Sequence, residues 1–274
     1  TARAHALAPL CGGRGARLIV TRRMDYVPAG GPYVRYLYNR AVDAVIAISG
    51  GVRDALLRVG IRAERIRVVP SGIDVDAAIA DAGARARVRR EWGVDDDEVL
   101  VVVPGVLERR KGHATLLAAA ELLAPGFSGL RYVFCGVGRE EAALARAAVT
   151  LGRRVHFAGF RTDVAACLAA ADVAVLPSLH EGLGVAALEA MAAARPVLAS
   201  RVGGLAEVVV PDETGLLVPP SDPGALAAAL VRLAADPALR ARLGAGGRTR
   251  VLARYTGTKM AEGTLACYGG PACG

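Results

Sequence analysis

Aromatic side chains make up only 4% of these 274 residues, and no apolar run is long enough to span a bilayer. The longest candidate, residues 164–176, is interrupted by Asp172, whereas a membrane helix needs about 20 mostly apolar positions. The opening residues carry Arg3 and His5 without a sustained apolar core, so a secretory leader is not expected there. Five cysteines (Cys11, Cys135, Cys167, Cys267, Cys273) are odd in number, scattered and without a Cys-x-x-Cys pair. That pattern argues against a disulfide framework and a zinc site, and for a reducing cytosol. His5, His113, His156 and His180 are dispersed, none at metal-ligand spacing, so no metal and no cofactor is expected. The basic residues are not interleaved with aromatics and no nucleic-acid motif is present, which weighs against nucleic acid as a partner.

Hydrophobic residues amount to 53%, carried by alanine, valine and leucine. Apolar runs of four to six residues alternate with helical patterns, the mark of β-α units and a parallel sheet. Strands are expected at 17–21, 44–48 and 66–69, with a helix at 50–59. Residues 75–96 are charged and weakly patterned, apart from a helix at 84–92. Further strands are expected at 98–103, 131–135, 155–158, 173–176 and 197–200, alternating with helices at 111–123, 140–151, 163–170, 185–194 and 205–209. Helices at 223–235 and 237–255 close the pattern, each with proline in its first turn. The chain therefore divides into a first α/β region (1–80), a linker (81–97), a second five-stranded Rossmann-like region (98–255) and a final segment with a frayed glycine-rich tail (256–274).

The net charge of +8 is uneven. Residues 1–70 hold 12 arginines against 4 acids, and the rest of the chain balances 22 basic residues with 22 acidic ones. Two readings stand: a basic surface for an anionic membrane or a phosphorylated acceptor, or an arginine-rich composition with no binding role.

The most informative stretch runs from Pro177 to Met191, a strand end, a tight turn and a helix opening. Backbone amides of such a turn (Gly182, Leu183, Gly184) and of the first helical turn converge on an anion, which suits a diphosphate. Glu189, about one and a half turns into the helix, would repel that phosphate but can accept hydrogen bonds from a neighbouring diol such as ribose. Glu181, before the turn, would face the other end of the ligand. Lys111 follows a strand and opens a helix, within reach of a phosphate at the sheet's carboxyl edge. Gly136-Val137-Gly138 follows a strand, but Glu141 takes the third fingerprint position and no acid ends the following strand, so a nicotinamide dinucleotide is a weak alternative.

With Gly203-Gly204-Leu205-Ala206-Glu207, Thr214 to Pro220, Lys111-Gly112-His113 and Ser71-Gly72-Ile73-Asp74 in order, the Glu181-x7-Glu189 string resembles the signature of family 4 retaining glycosyltransferases of the GT-B type. The resemblance covers nearly the whole chain. It implies two Rossmann-like domains facing a cleft, the first incomplete here because only about 80 residues precede the linker. It also implies a metal-free, hexosyltransferase-like transfer of sugar from a nucleotide-diphosphate sugar to a glycan, lipid-linked or small-molecule acceptor with retention of configuration. In that reading Lys111 and Glu181 are catalytic, and Gly136, Gly138, Arg109, Gly182, Leu183, Gly184 and Glu189 join Lys111 around the donor. Two departures stand out. Val106 occupies the place of an arginine, which Arg109 or Arg110 would have to replace. Thr21-Arg22-Arg23 stands where relatives carry Thr-x-His, making Arg22 and Arg23 the acceptor-side candidates. Cytoplasmic synthesis of a cell-envelope polysaccharide or glycolipid, with peripheral contact at an inner membrane face, fits this reading; a nucleotide-sugar-binding fragment without turnover is the alternative.

Overall fold

The computed structural model describes residues 17–24, 31–127 and 129–269, and the following statements concern those residues. The first sheet is parallel, in the order β1 (Ile19–Arg22), β2 (Ala44–Ala47), β3 (Ile66–Val68). All four residues of β2 are buried, as expected of a central parallel strand covered on both faces. Helix α1 (Pro32–Tyr36) runs into a π-helical turn (Leu37–Ala41), and α2 (Gly50–Arg58) begins at an N-cap, Ser49, whose side chain accepts from the Val52 amide.

After α3 (Ala84–Glu91), the second sheet contains β4 (Val99–Pro104), β5 (Leu130–Cys135), β6 (Val155–Gly159), β7 (Val173–Leu176), β8 (Val197–Ser200) and β9 (Gly215–Val218). Its order is β6-β5-β4-β7-β8-β9, every pair parallel. The order reverses between β4 and β7, and in open sheets of this kind ligands bind in the crevice at the carboxyl ends there. Helices α4 (His113–Leu123), α5 (Glu141–Ala147), α6 (Val164–Ala170), α7 (Val185–Ala192) and α8 (Leu205–Val208) connect the strands. Helices α9 (Pro223–Ala235) and α10 (Pro237–Arg254) follow, capped by Asp222 and Asp236. Along β4 the core alternates: Leu100 and Val102 join one apolar cluster, Val101 and Val103 the other.

Two features differ from the expected organisation. The sheet has a sixth strand, β9, whose apolar run is only Leu216-Leu217-Val218; pairing with β8, not local pattern, makes it a strand. The segment expected as a linker also folds onto the second domain. Arg85 and Arg89 of α3 bond Asp172 at 2.7 and 2.9 Å, and Trp92 and Val94 are buried. The crossing between sheets lies earlier, where Ile73 donates to the Tyr255 carbonyl (2.9 Å) and accepts from the Gly257 amide (2.8 Å). Beside it Gly72 leaves no room for a Cβ, which would lie 2.1 Å from the Thr256 carbonyl oxygen. Helix α11 (Gly257–Gly269) then returns to the first sheet, where Tyr268 accepts from Arg17 at 2.9 Å.

Candidate active site

Lys111 does not open a helix. It ends a 3-10 turn (Arg109–Lys111), and Gly112, left-handed at φ 67°, separates it from α4. A Cβ on Gly112 would lie 1.9 Å from the Pro177 carbonyl oxygen, so glycine lets this loop press against the end of β7. The Arg110 carbonyl accepts from Leu179 and His180, which fastens the loop to the chain entering the Glu181 turn. The result is an ion pair: Lys111 Nζ is 2.5 Å from Glu181 Oε2, with side chains only 14% and 11% exposed. Ser178 Oγ donates to the same carboxylate at 3.4 Å.

Beyond Glu181 the chain turns through Gly182, Leu183 and Gly184 into α7. Gly184 is left-handed (φ 92°) and no side chain caps the helix, so its opening is available to an anion. Leu183 buries its side chain, and Gly204 packs against its Cα so closely that a Cβ would be 2.4 Å away. Glu189 lies further along α7 on the wall of a cavity of ≈380 Å³, together with Val106, Gly136, Val137, Phe160 and Arg161. A second cavity of ≈310 Å³ shares Glu189 and has Asp74 in its lining. Burial raises the Glu189 carboxyl above its ordinary 4.5, and no described side chain donates to it.

The remaining expected residues fall in several places. Gly136 lines the cavity, yet its Cα faces the Gly105 carbonyl and that of Gly138 the Leu107 carbonyl, where added Cβ atoms would lie 2.0 and 2.3 Å away. These glycines therefore seat the lysine loop on its neighbour. Arg109 lines a separate cavity of ≈150 Å³ beside the start of α4, and Arg110 is paired with Glu108 at 2.8 Å. His113 is buried, packs on Phe134 at 5.7 Å and is held neutral, its pKa pushed down to about 4 by burial and the nearby Lys111 charge. His180 is exposed. Among the described residues no three His, Cys, Asp or Glu side chains gather as a metal site requires.

The first domain meets this loop directly. The Arg23 carbonyl oxygen would be 2.5 Å from a Cβ on Gly182, and Arg22 beside it is buried. Ser49 Oγ donates to the Gly182 carbonyl at 2.6 Å. Glu207 accepts from the amides of Gly50 (2.9 Å) and Gly51 (2.7 Å), its carboxylate sitting on the positive end of α2. In the sequence Glu207 stands only as a family landmark and Ser49 carries no motif; the serine's place before a helical run is its one local signal.

Comparison with known proteins identifies the family of the chain. The profile described as Glycosyl transferases group 1 matches residues 84–250, and that of Glycosyltransferase Family 4 matches residues 2–77. Alpha-maltose-1-phosphate synthase of Mycolicibacterium smegmatis is 37% identical over 249 residues, 83% of this chain and 63% of that protein. D-inositol 3-phosphate glycosyltransferase of Xylanimonas cellulosilytica is 38% identical over 221 residues, 76% of this chain and 52% of that one. The chain thus spans between about half and two thirds of these relatives. Among solved structures, sucrose-phosphate synthase from Thermosynechococcus elongatus superposes with a TM-score of 0.75 at 35% identity, covering 86% of this chain and 60% of that one. Anabaena HepE, solved with UDP, superposes with a TM-score of 0.89 over 97% of this chain and 76% of that one; at 23% identity it bears on the fold alone. With two Rossmann-like sheets facing a cleft and motifs in family order along the second, the chain belongs to the group 1 glycosyltransferases of GT-B fold.

Proposed function

We propose that this chain carries out the transfer of a sugar from a nucleotide-diphosphate sugar to an acceptor hydroxyl. The observation that carries the reading is the Lys111–Glu181 pair beside the uncapped start of α7, one end of a ligand path whose other end is the Glu189 cavity. The base would enter that cavity, with exposed Phe160 at its edge, and the ribose diol would donate to Glu189. The diphosphate would lie on Lys111 and the amides from Gly182 to Gly184, and Glu181 would hold sugar hydroxyls. In the transfer, the bond from the anomeric carbon to the β-phosphate oxygen breaks as the acceptor oxygen bonds that carbon. The acceptor proton passes to the departing phosphate, so charge and atoms balance without a metal. Retention of configuration belongs to this proposal. Donors preorganised around a developing charge typically supply roughly 3 to 4 kcal/mol each.

The first domain would bring the acceptor, with Arg22 and Arg23 at its face of the cleft. Relatives named for maltose-1-phosphate, inositol 3-phosphate and phosphatidylinositol mannoside support an acceptor bearing phosphate, in line with the arginine excess of this region. Among the described residues no helix is long and apolar enough to cross a membrane. A cytoplasmic setting with peripheral contact at an anionic membrane, and a cell-envelope product, complete the proposal.

Calorimetric titration with UDP, GDP and ADP tests it. One nucleotide should bind, and Lys111→Ala and Glu189→Ala should each weaken it; no binding by any of the three would sink the reading. Val106 in the cavity wall favours a second reading, nucleotide-sugar binding without turnover. A transfer assay with the bound donor decides between the two.

A further inference from the structure

Helices α9 and α10 are capped by aspartates, which only accept, whereas α2 is capped by a serine. A hydroxyl can accept and donate at once, and Ser49 does both. Its Oγ accepts from the Val52 amide at 3.1 Å and donates to the Gly182 carbonyl at 2.6 Å, with the residue wholly buried. Capping α2 needs only the first of these bonds. The second reaches 133 positions along the chain, from the first domain to the turn before α7.

That turn is fastened by its carbonyls. The Glu181 carbonyl accepts from the Gly204 amide at 3.1 Å, and Gly204 approaches the Gly182 carbonyl oxygen so closely that a Cβ would lie 2.5 Å from it. The Gly182 oxygen is thereby enclosed between Gly204 and the Ser49 hydroxyl. A trans peptide is planar, with its N–H on the edge opposite its C=O, so this grip fixes the direction of the Leu183 N–H. Among the described residues no acceptor takes the amides of Gly182, Leu183, Gly184, Val185 or Ala186. The carbonyls are held by the protein, and a run of donors is left for a ligand. A hydrogen bond received by a carbonyl also polarises its peptide group and strengthens the N–H beyond it.

We propose that Ser49 is a positioning residue: from the first domain it orients and polarises the Gly182–Leu183 peptide so that the Leu183 N–H donates to the diphosphate of the donor. This rests on the nucleotide-sugar reading and adds to it a residue that touches no substrate. It also gives domain closure a chemical consequence, since the amide is set only when the first domain brings Ser49 to the turn. The departing diphosphate then meets a donor aligned before charge develops on it.

Calorimetry with UDP, or with GDP or ADP if that is the one bound, tests this on the 274-residue chain and its S49A and S49G variants. The second readout is the Leu183 amide proton, followed by nuclear magnetic resonance in protein carrying isotope-labelled leucine and assigned through Leu183→Met. Both variants should bind the diphosphate about threefold to tenfold more weakly, the scale of one hydrogen bond. In the wild-type chain the Leu183 amide proton should move downfield when the diphosphate binds, and that movement should be largely lost in both variants. Glycine caps a helix nearly as well as serine, so S49G should unfold in urea close to wild type, which separates the turn from the cap. Wild-type affinity in S49G, with weakening confined to S49A, reduces Ser49 to a cap and overturns the proposal. A Leu183 amide that does not move in the wild-type complex, or moves equally in the variants, overturns it as well, because Ser49 then acts on closure and not on the amide. A wild-type chain that binds none of the three diphosphates overturns the nucleotide-sugar reading itself, and the role of Ser49 with it.

Discussion

Lys111 Nζ lies 2.5 Å from Glu181 Oε2, so the cation that the proposed donor site assigns to a phosphate already holds a carboxylate. Ligand binding must share or replace that pair. Lys111→Ala should lower kcat by about a hundredfold, the scale for removing one preorganised donor. Glu181→Gln should separate binding from transfer. With one negative charge gone from beside the anion, the nucleoside diphosphate should bind more tightly by about 1 kcal/mol, roughly fivefold, while transfer falls. A weaker diphosphate complex in Glu181→Gln, read by calorimetry, would contradict the arrangement.

Glu189 provides a pH test. Burial holds its carboxyl above the ordinary 4.5 and no described side chain stabilises its charge, while a ribose diol donates hydrogen bonds that favour the ionised form. Nucleotide affinity should therefore climb as pH rises through the Glu189 titration and level off above it. Glu189→Gln should flatten that rise. For folding the sign is opposite. The folded chain holds this proton more tightly than the unfolded one, so the contribution is present below the unfolded value and lost as pH rises through the raised one.

The Glu207 carboxylate joins the domains at the start of α2. Glu207→Gln leaves one acceptor oxygen for two amides, so the cleft should close less often. A loss of about tenfold in kcat/KM is expected for one charge-assisted hydrogen bond, together with a larger radius of gyration by small-angle scattering. An unchanged radius and unchanged kinetics would show that this contact does not set closure.

Asp172 is a stability test. Burial by itself would raise its carboxyl, but the Leu100 amide and the Arg85 and Arg89 guanidinium groups outweigh that and hold it below the ordinary 3.8. This contribution is present above the unfolded value and is lost as pH falls through the lowered one. Asp172→Ala should cost about 3 kcal/mol at neutral pH by leaving the buried Arg89 without its counter-ion, with the gap to wild type narrowing below the ordinary carboxylate value. Urea unfolding at the two pH values measures both.

How legible each feature was depended on whether its cause was local. Strands such as Val173–Leu176 and Val197–Ser200 match their apolar runs, because buried parallel strands need nothing beyond the run itself. The glycine turn before α7 was legible for the same reason. Strand β9 was not, since three apolar residues specify no element until β8 supplies hydrogen-bond partners. Nor was the role of α3, whose charged surface reads as solvated until Asp172 is placed beside it.

By itself the sequence determined the α/β alternation, the order of the motifs and the candidate residues on the Gly182 turn, since hydrophobic period and turn chemistry act over a few positions. The tertiary structure alone decided which of those residues meet. Lys111 and Glu181 are 70 positions apart, and Ser49 and Gly182 133. They come together because parallel strands bring their carboxyl ends to one edge, and because Gly112 and Gly182 lack the Cβ atoms that would hold the loops apart.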